Sequence, residues 1–522
     1  MRGDEAAVAR SARYAALWTS LVVLALSVYL WITFDPAQAG FQFVEAVPWL
    51  AGLDVEYRMG VDGISLFLVI LTVFLTPIAI LSSWSITRRV REFMIAFLLL
   101  ETMTVGMFCA LDFVVFYIFF EAVLIPMYLI IGVWGGERRI YAAVKFFVFT
   151  LAGSLFMLLA VVWLWRHDGS TNIVTLLHTP IPPGVQMWIF LAFLASFGVK
   201  AAVWPLHTWL PDAYGEAPLP GTIMLAAVLS KMGAYGFIRF AVPMLPQASA
   251  AAEPLMFTLG VVAVIYVSFV ALAQTDMKRM IAYSSVAHMG VIIIGIFTFT
   301  VEGIEGALFQ MLSHGIVIAA LFVCTGILLA RGETTTLSRL GGIAERMPVY
   351  AAALMLFSLA NMGLPGTSGF IGEILVIVGA MKVNFWVSLL GGAGMVLGAA
   401  YMLVLLRAVL FDRHSRPELA GLKDLRPAEY AMLAPLAIAV LWLGVYPSSF
   451  THIFDAPIGA LVQAHVAALK PHGAGGFDFT PGDLLVERSH NGYYHLGDLD
   501  GEGVVRVVFF EVEGEDLELA VR

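Results

Sequence analysis

Charge is what this chain has least of. Only 13% of its 522 residues are Asp, Glu, Lys or Arg, against roughly 25% in an ordinary soluble domain. Hydrophobic residues make up 60% of the chain, and its mean hydropathy is +0.89. A water-soluble globule is excluded, and the chain reads as a polytopic membrane protein. No basic surface suited to nucleic acid is visible. The net charge of −9 says little, because a bilayer sorts charges by side. Cysteine is as rare: Cys109 and Cys324 are the two, each inside an apolar run, whereas an iron–sulfur cluster needs about four thiolates. Both read as small buried residues, and no such cluster is expected here. The sequence has neither a G-x-G-x-x-G fingerprint nor a G-x-x-x-x-G-K-[ST] loop, so it does not bind nucleotides by those routes.

What is present is a long series of apolar runs. A membrane helix takes about 20 such residues. Thirteen stretches qualify, near 12–34, 62–83, 91–111, 113–134, 139–165, 186–208, 218–241, 254–275, 279–299, 303–330, 349–381, 386–411 and 427–447. Ala37-Gln38-Ala39 resembles a signal-cleavage site, but the run before it exceeds the roughly 7–15 residues of a signal h-region. Basic residues fall in every second loop: Arg2, Arg10 and Arg13, then Arg88, Arg89 and Arg91, Arg138 and Arg139, Lys278 and Arg279, Arg331, Arg339 and Arg346, and Arg413, Arg416, Lys423 and Arg426. Before the tail, the opposite loops and helix ends carry only Arg58, Arg166, Arg239 and Lys382. This asymmetry predicts a cytoplasmic N-terminus and a periplasmic C-terminus in a bacterial inner membrane. The loop Asp35–Asp62 is acidic and expected outside. Residues 452–470 are expected as an amphipathic interfacial helix. The tail 471–522 is charged and Gly-rich, with a strand-like run at Val504–Glu511; it reads as a small hairpin or a disordered end.

The stretch Phe190–Phe240 organises the rest. It joins two apolar segments through a Pro-rich turn, and each segment buries one lysine, Lys200 and Lys231. An ammonium at the centre of a membrane helix costs about 2.5–3.5 kcal/mol on insertion scales. Pro205 breaks the first segment just after Lys200. A second break is expected at Leu364-Pro365-Gly366-Thr367-Ser368-Gly369, flanked by Glu373. The two interrupted helices run in opposite directions, which suggests an inverted repeat.

Other ionisable groups lie in apolar helices: Glu101, Glu121, Lys145, His288, His314 and Arg407. Each also has a plainer reading. Arg407 reads as snorkelling to the interface, and Lys145 fits snorkelling as well as it fits a buried role. A lone membrane histidine is commonly a hydrogen-bonded packing residue. Glu101 fits a mere counter-charge for a lysine equally well. For Glu121, Lys200, Lys231 and Glu373 the plain reading is an ion pair that fixes helix packing, a device readily replaced by apolar residues. Taken together, acids, lysines and histidines spread over several helices are what proton transfer requires, with water between them. Burial changes an amine's proton affinity by up to about 3–5 pKa units. Moving a charge against 100 mV takes about 2.3 kcal/mol, so a swing of two or three units is of the size needed.

These stretches resemble the proton-pumping, antiporter-like membrane subunits of respiratory complex I, themselves similar to cation/proton antiporter subunits. The resemblance rests on FEAVLIPMYLIIGVWGGERRIYAAVKFFVFT, FGVKAAVWPLHTWLPDAYGEAPLPGTIMLAAVLSKMGAYGFIRF, AQTDMKRMIAYSSVAHMG and LPGTSGFIGE, and covers residues 14 to 450. It implies that Glu121 is the family's essential glutamate, that Lys200 on the broken helix pairs with it, and that Lys231 is the central channel lysine. His288 and His314 fall on the connecting polar axis. Glu373 falls at the outlet, where an acid rather than a lysine points to the subunit M (chain 4) branch. The family plan has one further helix at the N-terminal end and a shorter tail.

The resulting expectation is an all-α polytopic protein of about thirteen membrane helices. Two of them are broken, forming an inverted repeat of two five-helix units. Residues 1–90 would form the N-terminal helices and outward loop, 91–241 and 254–411 the two repeats, 412–470 the C-terminal helix and interfacial segment, and 471–522 the tail. The resemblance implies a proton-translocating subunit without cofactors of its own, NADH, FMN, iron–sulfur clusters and quinone belonging to partner subunits. Its expected partners are the other membrane-arm subunits, including sibling antiporter-like ones, and the lipid bilayer. The alternatives are a subunit of a multi-subunit cation/proton exchanger or of a membrane-bound hydrogenase, and a purely structural scaffold.

Overall fold

The computed structural model describes residues 4–50, 52, 55–332, 334–412 and 421–470, and in the tail Val486–Arg488, Tyr494–Leu496, Val507–Phe509 and Leu519–Val521. Arg2, Arg413, Arg416 and most of the expected tail strand lie outside those residues. The chain divides into two units, Met1–Leu469 and Lys470–Arg522. In the second, Val486–Arg488 pairs antiparallel with Tyr494–Leu496, and Val507–Phe509 with Leu519–Val521.

The first unit is a helical bundle. Its apolar spans are α1 (Glu5–Thr33), α2 (Gly63–Ser85), α3 (Val90–Cys109), α4 (Phe113–Trp134), α5 (Arg139–Asp168) and α6 (Pro183–Lys200). The short α7 (Leu210–Glu216) follows α6 after an irregular stretch. Then come α8 (Leu219–Met244), α9 (Pro246–Leu272), α10 (Met277–Phe297) and α11 (Val301–Gly332). The expected stretch 349–381 is two shorter helices, α12 (Pro348–Asn361) and α13 (Ser368–Val383). The unit closes with α14 (Phe385–Phe411), α15 (Pro427–Val445) and α16 (Ser448–Leu469). Twelve of the described helices are long and apolar enough to cross a bilayer, and the shorter α12 and α13 fall where the sequence places an interrupted one.

The few acids and amides near span ends do defined work. Asp62 accepts from the Ser65 amide at 3.0 Å to start α2, Asp112 from Val114 and Val115 to start α4, Asp276 from Arg279 to start α10, and Asn384 from Trp386 and Val387 to start α14. Each satisfies amides that have no partner within their own helix. The arginine-rich loops meet at one end of the bundle. There Arg138 reaches Glu216, Arg279 reaches Asp212, and Arg331 grips Glu429 at 2.5 Å.

The opposite end differs from the sequence expectation. The acidic loop contains an antiparallel hairpin, β1 (Gln42–Leu50) with β2 (Val55–Val61), pairing Ala46 with Arg58. Pro48 and the lack of strict alternation hide it in the sequence. The 452–470 segment is the helix α16, which packs against α2 and α11 and buries Phe450, Phe454 and Ile458.

Burial decides where chemistry can sit. α8 is buried throughout and α10 and α11 almost so, whereas α1, α14 and α15 are buried over a third of their length or less. Gly233 lets α8 lie directly on the end of α6: a Cβ there would meet the Phe197 carbonyl at 2.3 Å and the Ala201 amide at 2.5 Å. One charge pair is fully enclosed. Arg239 Nη2 donates to Asp62 at 2.5 Å and its Nε to Tyr235 at 3.2 Å, and the guanidinium lies over Phe41. Breaking such a pair from one side costs about 3–5 kcal/mol, because a buried charge is left alone. Asp62→Ala is therefore expected to destabilise the solubilised protein by that amount, and Asp62→Ala combined with Arg239→Met by less, as read by denaturant unfolding.

Candidate functional site

Two chain breaks and one fully enclosed helix position the ionisable groups. α6 ends at Lys200. Ala202 adopts φ 54°, and the chain stays irregular until Leu210. The indole of Trp209 returns to donate to the Val199 carbonyl at 2.9 Å, closing the end of the helix. The buried Lys200 ammonium donates to the Phe120 carbonyl at 3.1 Å and stands 4.3 Å from the Phe120 ring centre. Glu121 is the next residue, half-buried on α4 beside Ser154, and its Oε1 has no hydrogen-bond partner among the described residues. The pair implied by the resemblance is thus a neighbourhood rather than a closed ion pair: no Lys200–Glu121 contact within 4.0 Å is present among the described residues.

Lys231 sits inside α8 just after a π turn, Leu225–Leu229. Wide turns of this kind are frequent at functional sites. Its side chain is fully enclosed. Nζ donates to the Ala226 carbonyl at 2.7 Å, contacts Ser230 Oγ at 3.2 Å and lies 2.7 Å from His314 Nδ1. No carboxylate is within ion-pair distance among the described residues.

From there the polar row continues. The His314 and His288 rings lie 5.2 Å apart, centre to centre. His288 Nδ1 is 3.1 Å from Glu373 Oε1. The Gln310 amide donates to the same Oε1 at 3.3 Å and lies 3.4 Å from His288 Nδ1. Gln310 is one helical turn before His314 on α11, so both point the same way. The outer nitrogens of both histidines, Glu373 Oε2 and Gln310 Oε1 are buried without partners among the described residues. Groups like these are satisfied by water when they are functional. The structure thus brings Lys231, His314, His288 and Glu373 into one row and leaves Glu121 and Lys200 at its other flank.

The remaining ionisable residues resolve differently. Lys145 is held by Asp212 at 2.7 Å. Glu101 is buried beside Thr76 with no cation within 4.0 Å among the described residues, so it is not a lysine's counter-charge in this structure. Arg407 is exposed on α14. Two polar residues were not singled out from the sequence, Gln310 and His207, the latter buried in the first break with Nδ1 unpartnered among the described residues. For Gln310 the available signal was its spacing of four from His314. Among the described residues no group of three His, Cys, Asp or Glu could hold a metal. A cavity of about 10 Å³, enough for one water, adjoins Glu373 and is otherwise walled mainly by Val291, Ile294, Val376 and Val387.

Comparison with known proteins agrees over nearly the whole bundle. Residues 110–398 match the family described as NADH:quinone oxidoreductase/Mrp antiporter, and residues 14–107 match the NADH-ubiquinone oxidoreductase chain 4 amino terminus. NADH-quinone oxidoreductase subunit M of Rhodobacter capsulatus is 49% identical over 481 residues, 90% of this chain and 94% of that protein. A chain of respiratory complex I from Thermus thermophilus superposes with a TM-score of 0.82 at 32% identity, covering 87% of this chain and 95% of that one. A chain of the Mrp complex from Dietzia sp. shares the fold, with a TM-score of 0.75 at 21% identity over 89% of this chain and 53% of that one.

Gln310→Leu strips a donor from a buried carboxyl. It is expected to destabilise the protein by about 1–3 kcal/mol, with Gln310→Asn less severe, as measured by denaturant unfolding in detergent.

Proposed function

The chain belongs to the NADH-quinone oxidoreductase subunit M (chain 4) family, and on that premise we propose how it acts as a proton-pumping, membrane-arm subunit. Protons pass along the row from the Glu121–Lys200 flank through Lys231, His314 and His288 to Glu373. NADH, FMN, iron–sulfur clusters and quinone work in partner subunits, among them sibling antiporter-like subunits beside this one. The arginine-rich end faces the cytoplasm, and the hairpin end faces the periplasm.

The observation that carries this reading is the Lys231–His314 contact. A static ion pair needs an acid, and Lys231 has none within 4.0 Å among the described residues. What it has is a second titratable nitrogen at 2.7 Å. One of the two must donate. If lysine donates, His314 accepts at Nδ1 and carries its own proton on Nε2, a buried nitrogen without a partner among the described residues. If His314 donates from Nδ1, lysine is the neutral amine. Passing the lysine's proton to Nδ1 leaves an imidazolium with hydrogen on both nitrogens, which becomes neutral again by giving up the Nε2 hydrogen, as a relay requires.

Glu373 ends the row because its Oε1 is engaged by His288 and Gln310 while Oε2 is not. A carboxyl that takes a proton on Oε1 from His288 gives it up once that oxygen rotates away. The two helix breaks serve this by interrupting the backbone ladder at membrane depth, where freed groups favour water.

Lys231→Ala in the assembled enzyme is expected to lower NADH-driven proton pumping on the order of 10²-fold. Proton uptake into inverted vesicles, measured against NADH oxidation, tests it; an unchanged proton yield removes Lys231 from the path. Joint neutralisation by Glu121→Gln and Lys200→Met is expected to abolish pumping while the complex still assembles. Intact pumping in that variant favours the scaffold reading.

A further inference from the structure

One buried acid takes no part in the row. Glu101 lies near the middle of the 20-residue α3 and is 4% exposed. No cation stands within 4.0 Å of it, and its Oε1 has no hydrogen-bond partner, among the described residues. An ionisable residue at membrane depth is costly and is functional by default.

Its surroundings are polar but one-sided. Thr76 of α2 is the hydroxyl beside the carboxyl. The single hydrogen of that hydroxyl goes to the Thr72 carbonyl at 2.9 Å, as the Thr72 hydrogen goes to Leu68 at 2.8 Å and the Thr104 hydrogen to Leu100 at 2.7 Å. Pro77, next to Thr76 inside α2, has no amide hydrogen to give the Val73 carbonyl. What these groups have left to offer is acceptors. A neutral carboxyl can donate its O–H to them, whereas a carboxylate, which only accepts, finds no donor. The ionised form needs a water at Oε1, itself held by two or more polar partners. The two states of Glu101 therefore differ by one proton and by hydration.

α3 also touches both helices that carry the charges of the first half. A Cβ on Gly106 would meet the Phe119 ring at 2.6 Å, so α3 presses on α4 two residues from Glu121. On another side the Phe108 carbonyl takes the Tyr235 hydroxyl at 3.3 Å, and the two rings meet edge to face at 5.2 Å. Tyr235 is one turn beyond Lys231 on α8. Of the other elements packed on α3, α2 has no ionisable residue, α1 keeps Glu5, Arg10 and Arg13 at the arginine-rich end, and β2 brings the closed Arg58–Glu56 pair at the hairpin end. The groups that face Glu101 are thus Glu121, Tyr117 and Tyr128 on α4, and Lys231, Tyr235 and the Arg239–Asp62 pair on α8.

We propose that Glu101 is a proton-storing acid of the first half of the bundle, charged and discharged once in each pumping cycle, which biases Lys231 across the α3–α8 contact. This role rests on the pumping function argued above and lies outside the row. Uptake transfers one proton from a hydronium to a carboxylate oxygen and leaves water; release is the reverse, and no electron moves. Helices in contact lie about 8–10 Å apart. At a separation on the order of 10 Å and an effective dielectric of about 20, one negative charge changes the lysine's proton affinity on the order of tenfold, in favour of the ammonium. Glu101 acts through Lys231 as a positioning charge and conducts nothing itself.

Glutamine is the discriminating substitution, because it copies the neutral carboxyl in size and can donate a hydrogen but cannot ionise. In the assembled complex in native membranes, Glu101→Gln is expected to lower the proton yield per NADH oxidised several-fold, and Glu101→Asp to recover part of it. Full yield in Glu101→Gln identifies an acid that stays neutral and only packs; it overturns the proposal and leaves the Lys231 relay untouched. Infrared difference spectra, recorded as NADH is added to the complex, give a second reading that does not depend on the glutamine variant assembling. A carbonyl band of a protonated carboxyl that changes on turnover is expected to shift in Glu101→Asp. A carboxyl spectrum identical to that of the unsubstituted complex overturns the proposal equally.

Discussion

One enclosed amine governs the architecture. Lys231 has no exposed surface, yet its Nζ meets only a carbonyl, a hydroxyl and an imidazole. An ammonium in low dielectric without a counter-ion is among the most expensive arrangements a membrane protein can hold. The surroundings are built to tolerate it. The π turn before it presents the Ala226 carbonyl, Gly233 brings the end of α6 into backbone contact, and α10 and α11 wall it from lipid. None of these features neutralises the charge. They leave it with His314 as its titratable neighbour, unlike the Arg239–Asp62 pair two turns along the same helix. There a carboxylate at 2.5 Å fixes the charge permanently.

Helix packing sets which way the row can continue beyond Glu373. α11 and α13 touch backbone to backbone. A Cβ on Gly306 would meet the Val376 amide at 2.6 Å, and one on Gly379 would meet the Gly303 amide at 2.5 Å. No file of water fits between those helices. The small cavity beside Glu373 lies on another side, against α10 and α14, and its walls are almost wholly apolar. Glu373 thus stands between a polar break on one side and an apolar constriction on the other.

Much of this was legible in the sequence, for physical reasons that also mark the limits. Hydropathy runs show helices because a bilayer demands about 20 apolar residues in succession, and the spans overlap those runs, α1 and α9 starting earlier and α6 ending earlier, at Lys200. Pro205 and the Leu364–Gly369 stretch announced the breaks because each weakens the backbone ladder locally. Lys200 and Lys231 stood out because their cost depends on depth alone. What stayed hidden depends on partners far apart in the chain. Nothing near Arg239 reveals Asp62, 177 residues away, and nothing near Lys145 reveals Asp212. Gln310 is inconspicuous in a sequence, since its meaning lies in the histidine and carboxyl that it meets across the bundle. The hairpin was missed because Pro48 argues against a strand.

The row lies across the bundle rather than along it. Glu121 is half-buried on α4 near the exposed Ile118 and Ile125, and at the other end Glu373 lies close to α14, which is only partly buried. A charge arriving at the Glu121 flank therefore acts first on Lys200. Lys200 is held by the Phe120 carbonyl and lies over the Phe120 ring, with no closed contact to Glu121 among the described residues. Coulomb energy at a separation of about 4 Å is on the order of 4 kcal/mol at an effective dielectric of 20, more than moving one proton through 100 mV requires. An open pair at that flank is accordingly a better input than a closed one. A closed pair would already have released that energy in forming, whereas an open pair still has it to give.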